Sequence, residues 1–273
     1  MNSFTIPFVD ISMAQQLEEC HTWRCVKFAK AHARLQPTSR SEVQVVAGGY
    51  AVFAGADSPL NKASGLGFTG SVTAEDVDRI EEFYRSRDSL PRIEVCPLAD
   101  PTLRNLLKKR GYRLESFLNV LFRPVPTEPL PVVLAANASI SQATPEQADA
   151  WIRTTAQGFE GVETPSLFGR KIQASTFHSD DAVCFLAWVD IEPAAGGAMV
   201  VHDKVTEFGG MSTRLPYRRR GLQMGLINTR LNVALEVGCD FAMILTSPGS
   251  QSQRNIERAG FQVAYTNALM VAL

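Results

Sequence analysis

Apolar and polar residues alternate through VTEFGGMST, from Val205 to Thr213. Alternation of this kind predicts a half-buried strand. Further on, Leu222, Leu226, Ile227, Leu231, Ala234 and Leu235 recur at helical spacing and mark one face of a helix. Between the two patterns stand Pro216 and Tyr217, then Arg218, Arg219 and Arg220, then Gly221. The stretch therefore predicts a strand, a tight basic turn and a helix N-terminus. Backbone N–H groups without intrahelical partners point out of such a turn, and the helix dipole adds partial positive charge. It is suited to a phosphate or diphosphate.

Around this stretch the second half reads as alternating elements. Residues 138–143 predict a strand, and Thr144-Pro145-Glu146 opens a helix through Trp151 and Thr154. A second short helix is expected near Pro165 to Phe177, followed by strands over 183–189, 198–201 and 205–213, with a turn at 202–204. Phe241 to Leu245 predicts the next strand, SPGSQSQRNIERAGF a turn and a helix stopped by Gly260, and FQVAYTNALMVAL a closing strand.

The first half is patterned in the same way. Met13, Leu17, Trp23 and Val26 lie on a helix over 12–31, and Val43 to Phe53 reads as strand interrupted at Gly48-Gly49. A turn-rich stretch, DSPLNKASG, follows. Val77, Ile80 and Phe83 or Tyr84 return to helical spacing. IEVCP is a short strand, Asp100-Pro101 starts a helix ended by Gly111, and YRLESFLNVLF is strand material. This half has no phosphate loop: its corresponding turn, FTGSVTAEDVDRI, carries Glu75, Asp76 and Asp78, which suit a helix start and repel a diphosphate.

KKRGYRLESFLNVLF around Gly111 resembles ERAGFQVAYTNALMV around Gly260, and at the same offset IEVCP falls over Ala242 to Thr246. Two copies of one supersecondary unit account for this. Between them Pro124, Pro126, Pro129 and Pro131 form a stiff linker, which places a boundary near residue 130.

Composition narrows the function. At 273 residues, with 45% apolar and 20% charged, the chain is long enough for two globular cores. A net charge of −1 gives no global attraction to nucleic acid or anionic membrane. The arginine turn could contact nucleic acid locally, but no aromatic residues are interleaved with it. Cys20, Cys25, Cys96, Cys184 and Cys239 form no CxxC pair and fit free thiols in a reducing compartment. Cys20, His21, Cys25 and His32 match no zinc spacing, so they are expected in the core or on the surface and no metal is expected. MNSFTIPFVD lacks the features of a leader, and no run of about 18 apolar residues occurs. A cytoplasmic protein is expected.

Arg218-x-x-Gly221-x-Gln223 resembles the pyrophosphate-binding motif of the GNAT (Gcn5-related) N-acetyltransferases, Gln/Arg-x-x-Gly-x-Gly/Ala. Gln223 departs from it by standing where the family prefers Gly or Ala. The order of elements over about residues 138–273 is also similar to that family. The resemblance implies an α/β (α+β) fold, a mixed, largely antiparallel sheet flanked by helices. It implies two tandem GNAT-like domains, 1–130 degenerate and 131–273 binding acetyl-CoA. By resemblance, Arg218, Arg219, Arg220, Gly221, Leu222, Gln223, Met224 and Gly225 face the diphosphate, mostly through backbone amides. Met211, Ser212 and Thr213 would face the pantetheine arm, and Asn255 could hydrogen-bond the cofactor.

The implied activity is direct transfer of the acetyl group to a primary amine, on a small molecule or a peptide. Glu207, on the strand before the loop, is the candidate general base. Simple alternation would put it on one face with Val205, Gly209, Met211 and Thr213. Many family members carry a tyrosine acid where this chain has Ile256, and neither Tyr217 nor Tyr265 is assigned that role. Ser250 and Ser252 read as helix caps, and His178 and His202 as surface or packing residues. The segment from Gly158 to Phe177 is expected to wall the acceptor pocket. The Ile256 departure keeps a non-catalytic acyl-CoA-binding or regulatory module as the alternative. Oligomeric state is not legible.

Overall fold

The Asp10 carboxylate accepts a hydrogen bond from the Met13 amide at 2.9 Å and caps the first helix, α1 (Ile11–Leu35). In this computed structural model, which describes residues 7–272, α1 is followed by β1 (Glu42–Val46), β2 (Gly49–Phe53) and β3 (Lys62–Ser64). Next come α2 (Ala74–Arg85), β4 (Arg92–Val95), α3 (Pro101–Lys109) and β5 (Arg113–Pro124). Then follow β6 (Ala138–Gln142), α4 (Ala148–Glu160), α5 (Leu167–Phe177), β7 (Ala182–Val189), β8 (Glu192–His202) and β9 (Val205–Thr213). The remaining elements are α6 (Leu222–Glu236), β10 (Phe241–Thr246), α7 (Gln251–Arg258) and β11 (Gln262–Val271). The fold is mixed α/β, built on mostly antiparallel sheet flanked by helices.

Two compact units result. One comprises the residues up to Arg123 together with those from Met243 onward, and the other Pro124–Ala242. The break after Arg123 falls where the proline-rich stretch begins. The C-terminal segment groups differently from the contiguous halves expected from the sequence, 1–130 and 131–273. Its last strand explains why: β11 pairs antiparallel with both β4 and β5, so its backbone bonds are made inside the first unit.

The first unit's strands run in the order β1-β2-β3-β4-β11-β5, with β10 beyond β5. Phe53, Ile80, Tyr84, Ile93, Leu103 and Leu107 form a buried core there with α2 and α3. The Tyr84 hydroxyl donates to Val52 O at 3.0 Å, which satisfies its one polar atom. β3 lies inside the stretch read from sequence as turns. Its three residues are all buried, and three residues are too few to display a period. The α1 cysteines and histidines, Cys20, His21, Cys25 and His32, are buried core residues as expected.

A buried polar network links α1 with β3, β4 and β11. Lys62 forms an ion pair with Glu94, and Asn267 Nδ2 donates to Glu94 and Glu18, each at 2.8 Å. The Tyr265 hydroxyl donates to Glu18 at 3.0 Å, and His21 Nε2 stands 3.8 Å from Glu94 and from Cys25 Sγ. Burial alone would raise the Glu94 pKa, but Lys62 and then His21 outweigh it and hold the carboxyl at about 2.

The second unit's strands run β9-β8-β7-β6, all antiparallel. Trp151 of α4 is fully buried on one face beside Leu186 and Ala198, and its indole N–H donates to Phe185 O at 3.0 Å. The other face is covered by α6, which packs on β8 and β9.

Glu94 supplies a test. Glu94→Gln leaves the Lys62 ammonium buried without its counter-charge, which should cost about 3–5 kcal/mol at pH 7 in urea unfolding. A carboxylate with a lowered folded-state pKa stabilises above its unfolded value of 4.5 and loses that contribution as the pH falls toward 2. The gap between wild type and variant should therefore narrow over that window. A gap of constant size would contradict the assignment.

Candidate active site

The chain leaves β9 at Thr213, makes a single 3-10 turn over Leu215–Tyr217, and enters α6 through Arg219 and Gly221. Both residues take left-handed backbone angles, φ 62° at Arg219 and 77° at Gly221. Glycine adopts this conformation without strain, and a non-glycine residue there is held by its surroundings. Gly221 is the N-cap of α6 and offers no side-chain cap, and the first turn contains no acidic residue. The corresponding helix start in the first unit is closed. Thr73 and Asp76 form a reciprocal capping box at α2, with Glu75 beside them. One helix start is consumed by its own side chains and the other is left open to an anion.

Three arginines enter the turn, and their surroundings separate them. Arg218 donates from Nε to Thr213 O at 3.1 Å and from Nη2 to Gly158 O at 3.0 Å. It therefore fastens the loop to the last turn of α4, where unpaired carbonyls favour a cation. Its backbone stays in the turn, but its guanidinium is occupied. Arg219 and Arg220 are exposed, and Arg220 lies over the Tyr217 ring at 5.4 Å, as Arg214 does at 5.3 Å. Neither is paired with a carboxylate among the described residues.

Not every expected residue belongs to the open helix start. Leu222 is buried, Gln223 half-buried and Met224 exposed. The Gly225 amide donates to Gly221 O at 3.0 Å, so it closes the first helical bond. A Cβ on Gly225 would stand 2.8 Å from Ile140 and Leu134, so this glycine is required by packing. Its expected place among the diphosphate contacts is corrected accordingly.

α4 reaches the end of β9 without a side chain between them. A Cβ on Gly158 would collide with the Ser212 side chain and stand 2.9 Å from the Thr213 amide nitrogen. The Ser212 hydroxyl donates to Thr155 O at 2.8 Å. Arg214 pairs with Glu163 at 3.3 Å, and Gln157 Nε2 donates to Glu163 O at 2.6 Å. The α4–α5 connection is thus bonded to the loop that follows β9.

β9 does not keep its alternation. Ala198 of β8 faces Gly209 and Gly196 faces Ser212, so Gly197 alone opposes Gly210 and Met211. This is a β-bulge, with Gly210 at φ 57°. Past the bulge the faces exchange. Glu207 and Ser212 share the face covered by α4, whereas Met211 turns to α6. The expected common face for Glu207, Met211 and Thr213 is therefore corrected, since one extra residue reverses every later position. Glu207 itself is 1% exposed.

On the α6 side of the bulge lies a residue that sequence reading missed. Arg230 is 0% exposed on the face expected to be purely apolar. It donates from Nε to Leu226 O and from Nη1 to Ala198 O, each at 3.0 Å, and from Nη2 to Met211 Sδ at 2.7 Å. Its guanidinium lies 4.3 Å from the Phe208 ring centroid. A Cβ on Gly197 would stand 3.3 Å from its Cζ, so the Gly196-Gly197 pair was the available signal that something large packs there.

Asn255 is on α7 in the first unit and accepts a hydrogen bond from Gln251 at 2.8 Å. Ile256 is fully buried, and Ser250 caps α7 by accepting from the Gln253 amide at 3.1 Å. Tyr265 belongs to the buried network of the first unit.

No family model matches the sequence, and no curated protein does. Solved structures match its fold. A GCN5-related N-acetyltransferase from Kribbella flavida is 20% identical over 90% of this chain and 95% of that one, with a TM-score of 0.62. A tandem GNAT protein from the clavulanic acid biosynthesis pathway is 12% identical over 96% of this chain and 93% of that one, with a TM-score of 0.58. A GCN5-related N-acetyltransferase from Sphaerobacter thermophilus is 16% identical over 72% of this chain and 66% of that one, with a TM-score of 0.54. The fold is the tandem GNAT fold.

If Arg218 fastens the turn, Arg218→Ala should accelerate amide hydrogen exchange across residues 213–224. Two hydrogen bonds from a charged donor are lost, so local opening should become easier by about 1–3 kcal/mol. Unchanged exchange there would show that the loop is held by other contacts.

Proposed function

We propose that the chain transfers an acetyl group from acetyl-CoA to a primary amine, and that its second unit binds the cofactor. The observation that carries this reading is the open N-terminus of α6, entered through left-handed Arg219 and Gly221 with no side-chain cap. The tandem GNAT fold supports it. The amides from Gly221 to Met224 would receive the diphosphate, and the guanidinium groups of Arg219 and Arg220 would add charge. The strand end at Met211, Ser212 and Thr213 would lie along the pantetheine arm. No metal takes part in this reading.

The acceptor is an amine on a small molecule or a peptide. Its nitrogen attacks the thioester carbonyl, the C–N bond forms, the C–S bond breaks, and the thiolate leaves. The amine proton passes to Glu207. Buried as it is, Glu207 would receive that proton through an intervening group such as a water molecule. Nucleic acid and membrane have no part in this chemistry. No helix among the described residues is long and apolar enough to cross a membrane, and we place the enzyme in the cytoplasm.

A non-catalytic acyl-CoA-binding module is the second reading. It draws on the buried Ile256 at the acid position and on the burial of Glu207. Thiol release from acetyl-CoA over a panel of amines separates the two. An enzyme should release thiol only when its amine is present, and Glu207→Gln should lower kcat by about 100-fold or more with little change in KM for acetyl-CoA. Cofactor binding without amine-dependent thiol release would favour the binding module.

A further inference from the structure

Arg230 is a cation with no counter-charge. Among the described residues no carboxylate pairs with its guanidinium, whose neighbours are two carbonyl oxygens, a thioether and an aromatic ring. Burial lowers its pKa to about 9, with no charged group contributing, so it keeps its proton at neutral pH. Removing a guanidinium from water costs several kcal/mol, and an anionic partner ordinarily offsets that cost. Here the described residues supply none.

Its place in the fold is specific. Gly197 leaves room for it, and its Nη2 touches Met211, the second bulge residue of β9. Met211 is half-buried and is itself the first residue of the strand end that the acyl-CoA reading assigns to the pantetheine arm. Glu207 lies on the opposite face of the same strand. The bulge thus has a carboxylate on one side and an unbalanced cation on the other. Meanwhile Ile256 removes the proton donor expected for the leaving sulfur.

We infer that Arg230 stabilises the departing coenzyme A thiolate, as a positioning residue that acts through Met211 and the bulge. The C–S electron pair goes to sulfur, the amine proton goes to Glu207, and the thiolate leaves unprotonated in the field of the buried guanidinium. This rests on the acyl-CoA reading. The groups facing Arg230 are Gly197 and Ala198 of β8, Phe208 and Met211 of β9, and Leu226 of its own helix, and none of them titrates. α6 also packs on β6 and β7. The titratable residue of those strands, Cys184, packs with Trp151 on the α4 face, where burial raises its thiol to about 12.

The test is the acidity of bound coenzyme A. Coenzyme A carrying carbon-13 beside its sulfur is titrated with pH by NMR, free and bound to the full chain. Wild type should lower the thiol pKa by about one unit, a tenfold gain in acidity. Arg230→Lys should keep most of that shift. Arg230→Met should abolish it while calorimetric affinity for coenzyme A changes by no more than a few-fold. A merely structural role would not move the thiol. An unshifted thiol in the wild type overturns the proposal whether or not Arg230→Met folds, as does an equal shift in wild type and a folded Arg230→Met. Failure of the wild type to bind coenzyme A would instead overturn the acyl-CoA reading, and this inference with it.

Discussion

The last turn of α4 lies directly on the end of β9, and most of the site's geometry follows from that contact. Gly158 and Gly196 permit it by having no side chain. Ser212 then bonds the carbonyl of Thr155, and Arg218 bonds that of Gly158, one that a helix C-terminus leaves without an intrahelical partner. The loop after β9 is thereby held at α4 and, through Arg214, at β8, and the open amides at the start of α6 are left uncapped by any side chain. A motif arginine that reached for phosphate would leave the α4 carbonyls unsatisfied. In this chain the first arginine closes the helix, and the next two are exposed and bonded to no carboxylate among the described residues.

The first unit repeats the sequence of elements with different chemistry. Its helix start at α2 is closed by Thr73 and Asp76. Its interior carries Glu18, His21, Lys62, Glu94 and Asn267 bonded to one another. A network of this kind contributes little net stability over an apolar core, yet it penalises the loss of any member. The two units thus place their polar groups in opposite ways, one in a buried network and one around an exposed helix start.

Much of this was legible in the chain. Periodicity located the helices and most strands, although β9, read as half-buried, is buried on both faces over Val205 to Phe208, where α4 and α6 cover it. The Gly48-Gly49 break correctly separated two strands, and Asp100 caps the helix that follows it. Three features were not legible, each for a physical reason. β3 is too short to show a period. The β9 bulge depends on register against β8, which a single strand does not reveal, and so the faces of Met211 and Thr213 were misassigned. Arg230 occupies an apolar stripe that seemed complete without it, because its guanidinium is satisfied by backbone carbonyls and a thioether rather than by a carboxylate in recognisable spacing. The grouping of β11 with β4 and β5 is likewise a matter of long-range pairing.

The most direct test of the account is calorimetric titration of acetyl-CoA into the wild type and Gly221→Asp. Aspartate tolerates the left-handed conformation better than most side chains, so the turn should survive. Its carboxylate would stand at the helix start assigned to the diphosphate. Micromolar binding to the wild type, weakened by about 100-fold or more in the variant, is the predicted result. Equal affinity in the two proteins, or no binding to the wild type, would contradict the assignment of the α6 N-terminus as the cofactor site.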